Sequence, residues 1–412
     1  MLDDSSSKPQ AASLKRKPAP RRRTARDNRS PAVSAVAGGQ AGGVRIDVTR
    51  GEIVAHLRNR ITSGELAPGS RLPTYRGLQS LLQANMVTVG RAIDQLKGEG
   101  FIDTQGARGT FVVDHPPHLF RYALVFPSHP SDATWPRFWE ALAKEAATIE
   151  RDGPCEMPIY YDVDQISHPG SASYTKLVDD VLAHRFAGLI FAADPWVVRD
   201  TPLLSEAGMP CVSLTRPQPV DYPNLATVCL DTEGLFHKAL DYLVARGRKR
   251  LAVLTVPVEM DRLLEFITRE AARRGMEIQP HWLQAVSPAE PRPAQACMHL
   301  LMHGSQSRRP DALFVTDDNL VEYATAGLVD AGVRVPDDLD VVAHCNFPWP
   351  TTGAVPVQRV GFDARECLRA CVYSIDQQRR EKVVPSPIAI SAIFEEELDS
   401  ASLARGRAIF HV

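Results

Sequence analysis

NMVTVGRAIDQLKGEGFIDTQGARGTFVV, residues 85–113, reads as a helix running into a tight hairpin, and that pairing decides the fold of the domain around it. Val89, Ala92, Ile93 and Leu96 recur at three- and four-residue steps, the spacing of one buried helical face. Thr88, Arg91 and Gln95 fall on the opposite face, which is left to meet something outside the core. Asn85 is placed to cap the helix, and beyond Gly100 two β-rich runs flank Gly106-Ala107-Arg108-Gly109, a hairpin signal.

Upstream, Ile53, Leu57 and Ile61 step by four in a first helix that Gly64 ends. The turn-rich ELAPGSRLP follows, and Thr74 caps a short second helix with Leu78, Leu81 and Leu82. Three helices and a hairpin in residues 44–114 form the order of a winged helix-turn-helix. Such a fold sends the first turn of its third helix into the major groove of DNA. There Val87 and the Thr88 methyl meet thymine methyls, while Asn85 and the Thr88 hydroxyl bond phosphates or base edges. Gly90 clears room for the backbone, Arg91 and Gln95 reach phosphates or bases, and Arg108 at the hairpin tip enters a minor groove.

A chain of 412 residues exceeds what one core organises, and its segments differ in character. Residues 1–43 are rich in Ser, Pro, Ala and Arg and read as a disordered basic arm. Residues 115–119 read as a proline-bearing hinge, residues 120–395 as a second domain and residues 396–412 as a tail. In the second domain YALVFP, FAGLIFAAD, MPCVSLT, RLAVLTV, DALFVTDD and LDVVAHC alternate with amphipathic helical stretches, the texture of buried parallel strands in an α/β fold.

The net charge of -2 conceals a gradient. Residues 1–43 carry nine Lys/Arg against three Asp, residues 44–114 nine against seven, and the remainder is acidic. A basic front favours a polyanion such as nucleic acid. No run is long and apolar enough for a membrane helix, and no apolar leader follows the N-terminal charges, so a cytoplasmic protein is expected. Seven cysteines without a CxxC pair argue against a disulfide framework and a zinc site. His299 and His303 share a helical face without a third ligand nearby. GxSxG, HExxH, P-loop and GxGxxG motifs are all missing, so neither catalysis nor a cofactor is expected.

Residues 46–113, with GELAPGSRLPTYRGLQSLLQ, NMVTVGRAIDQLKGEGFI and ARGTFV, closely resemble the winged-helix domain of the GntR (gluconate repressor) family. The resemblance assigns a DNA-contacting arginine to Arg76 and the wing glycine to Gly109. Met86 stands where that family usually has Arg, which removes an expected guanine reader. Residues 120–395 resemble the effector domain of LacI (lactose repressor) family proteins through TVCLDTEGLFHKALDYLVARGRKRLAVLT, DRLLEF and TDDNLVEYATAGLVDAGVRVPDDLDVVA. This implies a type I periplasmic-binding-protein-like domain, with two doubly wound subdomains closing on a small molecule, and a homodimer. By that match Arg262 grips the ligand, Asp317 and Asp318 occupy an Asn-Asp pair, and Asp231 matches an aspartate near the hinge. Trp135 and Phe138 can stack on a sugar ring or pack in the core. VVAHCN puts Cys345, followed by Asn346, where the resemblance implies an aspartate that holds ligand hydroxyls, so the expected effector does not rely on that acceptor, although Asn346 or His344 can partly compensate.

The expected function is a ligand-responsive transcription regulator, in the repressor mode, with an operator and a small metabolite such as a carbohydrate as partners. An enzyme tethered to a DNA-binding domain and a ligand-independent DNA binder are the alternatives.

Overall fold

Residues 48–398, apart from 206–207, 216–221, 223 and 259, are described by the computed structural model. The expected basic arm, residues 1–43, and the tail beyond residue 398 lie outside the described residues.

Three helices open the fold: α1 (Arg50–Thr62), α2 (Tyr75–Leu82) and α3 (Met86–Gly98). Each begins at a side-chain cap. Thr49 and Glu52 form a reciprocal capping box on α1, Thr74 accepts from the Gly77 amide at α2, and Asn85 accepts from the Thr88 amide at α3. Ile53, Leu57, Leu78, Val89, Ile93 and Leu96 meet in one core, closed below by Phe101. The hairpin of β1 (Ile102–Thr104) and β2 (Thr110–Val112) is antiparallel, with Thr104 opposite Thr110 and one 3-10 turn at the tip. This is the expected winged helix-turn-helix.

The residues expected as a hinge, 115–119, include part of a short helical turn. Pro117 starts a single helical turn, α4 (Pro117–Phe120), whose Leu119 carbonyl accepts from Arg379 at 2.9 Å. Pro at the first helical position presets the turn, and the bond from Arg379 anchors it.

The α/β region holds two six-stranded sheets of the same design. Sheet one contains β3 (Tyr122–Val125), β4 (Ile159–Tyr160), β5 (Gly188–Phe191), β6 (Cys211–Leu214) and β7 (Leu225–Leu230). Around it lie α5 (Arg137–Asp152), α6 (Ala172–Leu182) and α7 (Pro202–Ser205), after which α8 (Thr232–Ala245) leads to the second sheet. The second contains β8 (Leu251–Thr255), β9 (Leu283–Ala285), β10 (Ala312–Val315), β11 (Asp340–Phe347) and β12 (Gln358–Asp363), with α9 (Met260–Arg273), α10 (Pro293–Met302) and α11 (Val321–Asp330). After β12 come α12 (Ala364–Glu381), β13 (Ile388–Ile390) and β14 (Ile393–Phe394).

The spatial orders are β4-β3-β5-β6-β7-β13 and β9-β8-β10-β11-β12-β14. All pairings are parallel except β12 with β14. In each sheet the first strand in sequence lies between the second and third, so the winding reverses beside β3 and beside β8. Loops at the carboxyl ends of strands flanking such a reversal diverge and leave a crevice, the usual ligand position in open α/β sheets.

Candidate functional site

The α3 helix divides as its sequence requires. Val89, Ala92, Ile93 and Leu96 are buried, whereas Met86 and Val87 in the first turn are 42% and 63% exposed, with Arg91 exposed one turn on. Arg76 on α2 and Arg108 at the hairpin tip are also exposed. Asn85 is already engaged: its Oδ1 accepts from the Thr88 amide at 2.7 Å and the Thr88 hydroxyl at 3.0 Å. Gly90 faces α2, because a Cβ there would lie 3.9 Å from Tyr75. Gly109 has φ +111°, and a Cβ would come within 2.8 Å of Arg71 Nε, so only glycine fits this turn without strain. Arg71 at the base of the hairpin is a cation that the sequence reading missed. Its signal was the arginine of GSRLP just ahead of the second helix.

Gln95 does not join the exposed face. Its amide donates to Glu99 Oε1 at 2.9 Å, one turn along α3, and the two residues turn towards the α/β region. Glu99 is the centre of a buried ionic chain. Arg58 on α1 lies 2.6 Å from one of its oxygens and Arg185 2.9 Å from the other. Arg185 also holds Asp180 at 2.7 Å, and the Tyr160 hydroxyl donates to Asp180 at 2.7 Å. The Glu99 side chain is only 6% exposed. Burial pulls its pKa up, but the hydrogen bonds from Gln95, Arg58 and Arg185 outweigh this and leave it below the ordinary glutamate value. Nothing near Glu99 in the sequence announces this role, because its arginine partners are 41 and 86 positions away.

In the α/β region, Asp318 follows β10 and is 3% exposed, and Asn346 near the end of β11 is 2% exposed. Asn346 Nδ2 donates to Asp318 Oδ2 at 2.8 Å. Desolvation raises the Asp318 pKa; His344 opposes this and Asp317 adds to it, with Arg137 at the start of α5 also opposing. Asn346 Oδ1 and His344 Nδ1 are buried without a hydrogen-bond partner. A desolvated carboxyl, an idle amide oxygen and an idle imidazole nitrogen thus lie on neighbouring strand ends, an arrangement that a ligand with several donors and acceptors can satisfy. His344 was expected only as a partial replacement for the missing acceptor. It is two positions from Asn346 and therefore on the same strand face.

Several expected residues behave differently. Cys345 points to the other face of β11 and packs with Phe347 and Ile393, away from the Asp318–Asn346 bond, and burial pushes its thiol up to about 12. The cause is strand alternation: adjacent residues cannot both face the same side. Asp317 accepts from the amide and side chain of Asn319, a local turn. Asp231 caps α8 by accepting from the Gly234 amide at 2.9 Å. Arg262 lies exposed in the first turn of α9. Trp135 and Phe138 are half-buried against the core, and Trp135 packs with Phe126, Trp139 and Tyr161. A further contact joins the two halves: Trp349, after β11, donates to the buried Glu145 of α5 at 2.9 Å.

Among the described residues Asp132, Asp162 and His168 bring potential metal-ligand atoms within 4.8 Å of one another. Asp132 already accepts from the His129 amide, and His168 lies 3.7 Å from Asp162. The His299 and His303 rings are 5.6 Å apart, with His303 Nδ1 bonded to Ser305. No helix among the described residues is long and apolar enough to cross a membrane.

Comparison with known proteins matches residues 49–112 to the family of bacterial regulatory proteins, gntR family, and residues 240–390 to the periplasmic binding protein-like domain. The HTH-type transcriptional repressor PurR of Aliivibrio fischeri (strain MJ11) is 25% identical over 170 residues, 39% of this chain and 50% of that protein. This chain therefore spans half the length of that relative. The arabinose metabolism transcriptional repressor of Geobacillus stearothermophilus is 22% identical over 351 residues, covering 78% of this chain and 90% of that one. Among solved structures, the transcriptional regulator CelR in complex with cellobiose aligns at a TM-score of 0.50 and 17% identity, over 78% of this chain and 98% of its own. The chain therefore joins a winged helix-turn-helix that matches the gntR family over residues 49–112 to an α/β region of two doubly wound halves that matches the periplasmic binding protein-like domain over residues 240–390.

Proposed function

We propose that the protein is a transcription regulator whose winged helix binds operator DNA and whose α/β domain binds a small polyhydroxyl or otherwise polar metabolite that alters operator affinity. The observation that carries this reading is the position of α3, whose first turn is exposed while Glu99, just past its last turn, is bonded to Arg185 of the α/β region. A change in the α/β region therefore acts on the helix that reads DNA. Val87, Thr88 and Arg91 contact bases or nearby phosphates, with Asn85 orienting the first turn, while Arg76 and Arg108 add phosphate or groove contacts and Gly109 shapes the wing.

Asp318 and Asn346, with His344, form the floor of the effector site. Trp135 and Phe138 offer ring faces, and Arg262 and Asp317 lie on helix and loop at the same carboxyl ends. The repressor mode is supported by the names of the relatives, and a carbohydrate effector by the arabinose repressor and the cellobiose complex. The regulator acts as a cytoplasmic homodimer on a two-fold symmetric operator, two α3 helices entering successive major grooves.

Selection of bound fragments from a random duplex library by the full chain tests this. The expected outcome is one inverted-repeat motif. Arg76→Ala and Arg108→Ala each weaken binding to it and lower the salt slope by about one. Arabinose and cellobiose serve as the first effector probes. Failure to enrich any motif, or wild-type affinity and salt slope in both variants, overturns the reading.

A further inference from the structure

A cavity of about 400 Å³ lies where the winged helix meets the base of the first sheet, at the opposite ends of its strands from the crevice. Its walls include Thr62 at the end of α1, His118 of α4, His184 ahead of β5, and Arg379, Arg380 and Lys382 at the end of α12. Arg379 is committed to the Leu119 carbonyl and Asp376. Arg380 and Lys382 have no ion pair among the described residues, and the intervening Glu381 accepts from Gln377 instead. Cations at a helix C-terminus are favoured by the helix dipole, but that accounts neither for the cavity nor for the histidines that face them.

One further observation points to a ligand. His118 Nδ1 is buried without a partner, and the ring is kept neutral, its pKa pushed down to about 4 by burial, with Arg379 and His184 adding to the effect. The cavity therefore holds more positive charge than its described surroundings neutralise.

We propose that this cavity is a second ligand site, for a small multivalent anion carrying phosphoryl or carboxylate groups. Arg380 and Lys382 supply its charge, and His184 and His118 supply hydrogen bonds. The site is coupled to DNA reading through its walls. His118 stacks on Phe101, just beyond α3, at 5.9 Å between ring centroids, and His184 is adjacent in the chain to Arg185, which holds Glu99. An anion here draws α1, α4 and α12 together.

Calorimetric titration of the full chain with pyrophosphate and, separately, citrate tests the proposal, the better-bound probe telling phosphoryl from carboxylate recognition. Saturable binding at one site per chain is expected for at least one of them. The double substitution Arg380→Ala/Lys382→Ala weakens it at least tenfold. Thr62→Glu, which keeps every cation but adds a negative charge to the wall, weakens it similarly. Both variants retain the basic N-terminal segment, so anion uptake by that segment is unaffected by either change. Absence of saturable binding to both probes, or wild-type affinity in either variant, overturns the proposal. Operator binding is measured separately, so failure here leaves the proposed function standing.

Discussion

Asp318 carries the largest conflict between stability and function in the α/β domain. Its carboxyl is 3% exposed with Asn346 as its described hydrogen-bond donor, and its pKa is raised. A carboxyl whose folded pKa lies above its unfolded value favours folding while protonated, and that contribution is lost as pH rises through the raised value. Above that raised value the ionised group therefore opposes folding in the absence of ligand. Asp318→Asn keeps the shape and removes the charge. The expected result is a thermal midpoint about 2–4 °C higher, corresponding to about 1 kcal/mol, together with loss of the effector response. Differential scanning calorimetry and an operator-release assay check the two halves of that statement. Asp318 was singled out through the resemblance of TDDNLVEYATAGLVDAGVRVPDDLDVVA to LacI-type effector domains, which places it in an Asn-Asp pair. Cys345 was misread because sequence position alone does not say which of two neighbouring strand residues faces the crevice, and Asn346 and His344 share the other face.

At the scale of elements, the contact between α3 and the first sheet rests on the Arg58–Glu99–Arg185–Asp180 chain. Removing Arg185 leaves Asp180 with the Tyr160 hydroxyl and Glu99 with Arg58 and Gln95. Loss of one partner of a fully buried pair costs about 3–5 kcal/mol, and because Arg185 is 30% exposed a cost of about 2 kcal/mol is expected for Arg185→Ala. Thermal unfolding measures it. Arg185→Lys, which restores the charge without the two-pronged geometry, recovers only part of the loss. The same chain sets an acid limit. The Glu99 pKa is depressed below 4.5, so its contribution is fully present above that value and is lost as pH falls through the depressed one. Between about pH 6 and about pH 3 the wild-type midpoint should fall more steeply than that of Glu99→Gln, and parallel curves would contradict the assignment. The three helices and the hairpin were readable from periodicity, caps and glycines because those signals are local. The ionic chain was not, because the two arginines that meet at Glu99 lie 41 and 86 positions from it.

For the whole molecule, alternating apolar runs and amphipathic stretches announced an α/β domain, and the resemblance to LacI-type effector domains implied its two halves. The shared strand order, with the second strand outside the first, required the three-dimensional pairing to be seen. The last strands of the described chain carry the least sequence signal. β13 and β14 have three and two residues and stand only Ser391 and Ala392 apart, yet β13 closes the edge of the first sheet and β14 that of the second. A chain stopped after Lys382 leaves β7 and β12 with unpaired edges, and such edges template association between chains. Its expected fate on expression is the insoluble fraction, and fractionation of lysates alongside the full chain checks this. During synthesis on the ribosome the consequence is one of timing. The first sheet has five of its strands through the exit tunnel long before its sixth, and the second waits on residues only slightly later still. Both halves therefore complete their sheets almost together, once the residues up to Phe394 have emerged.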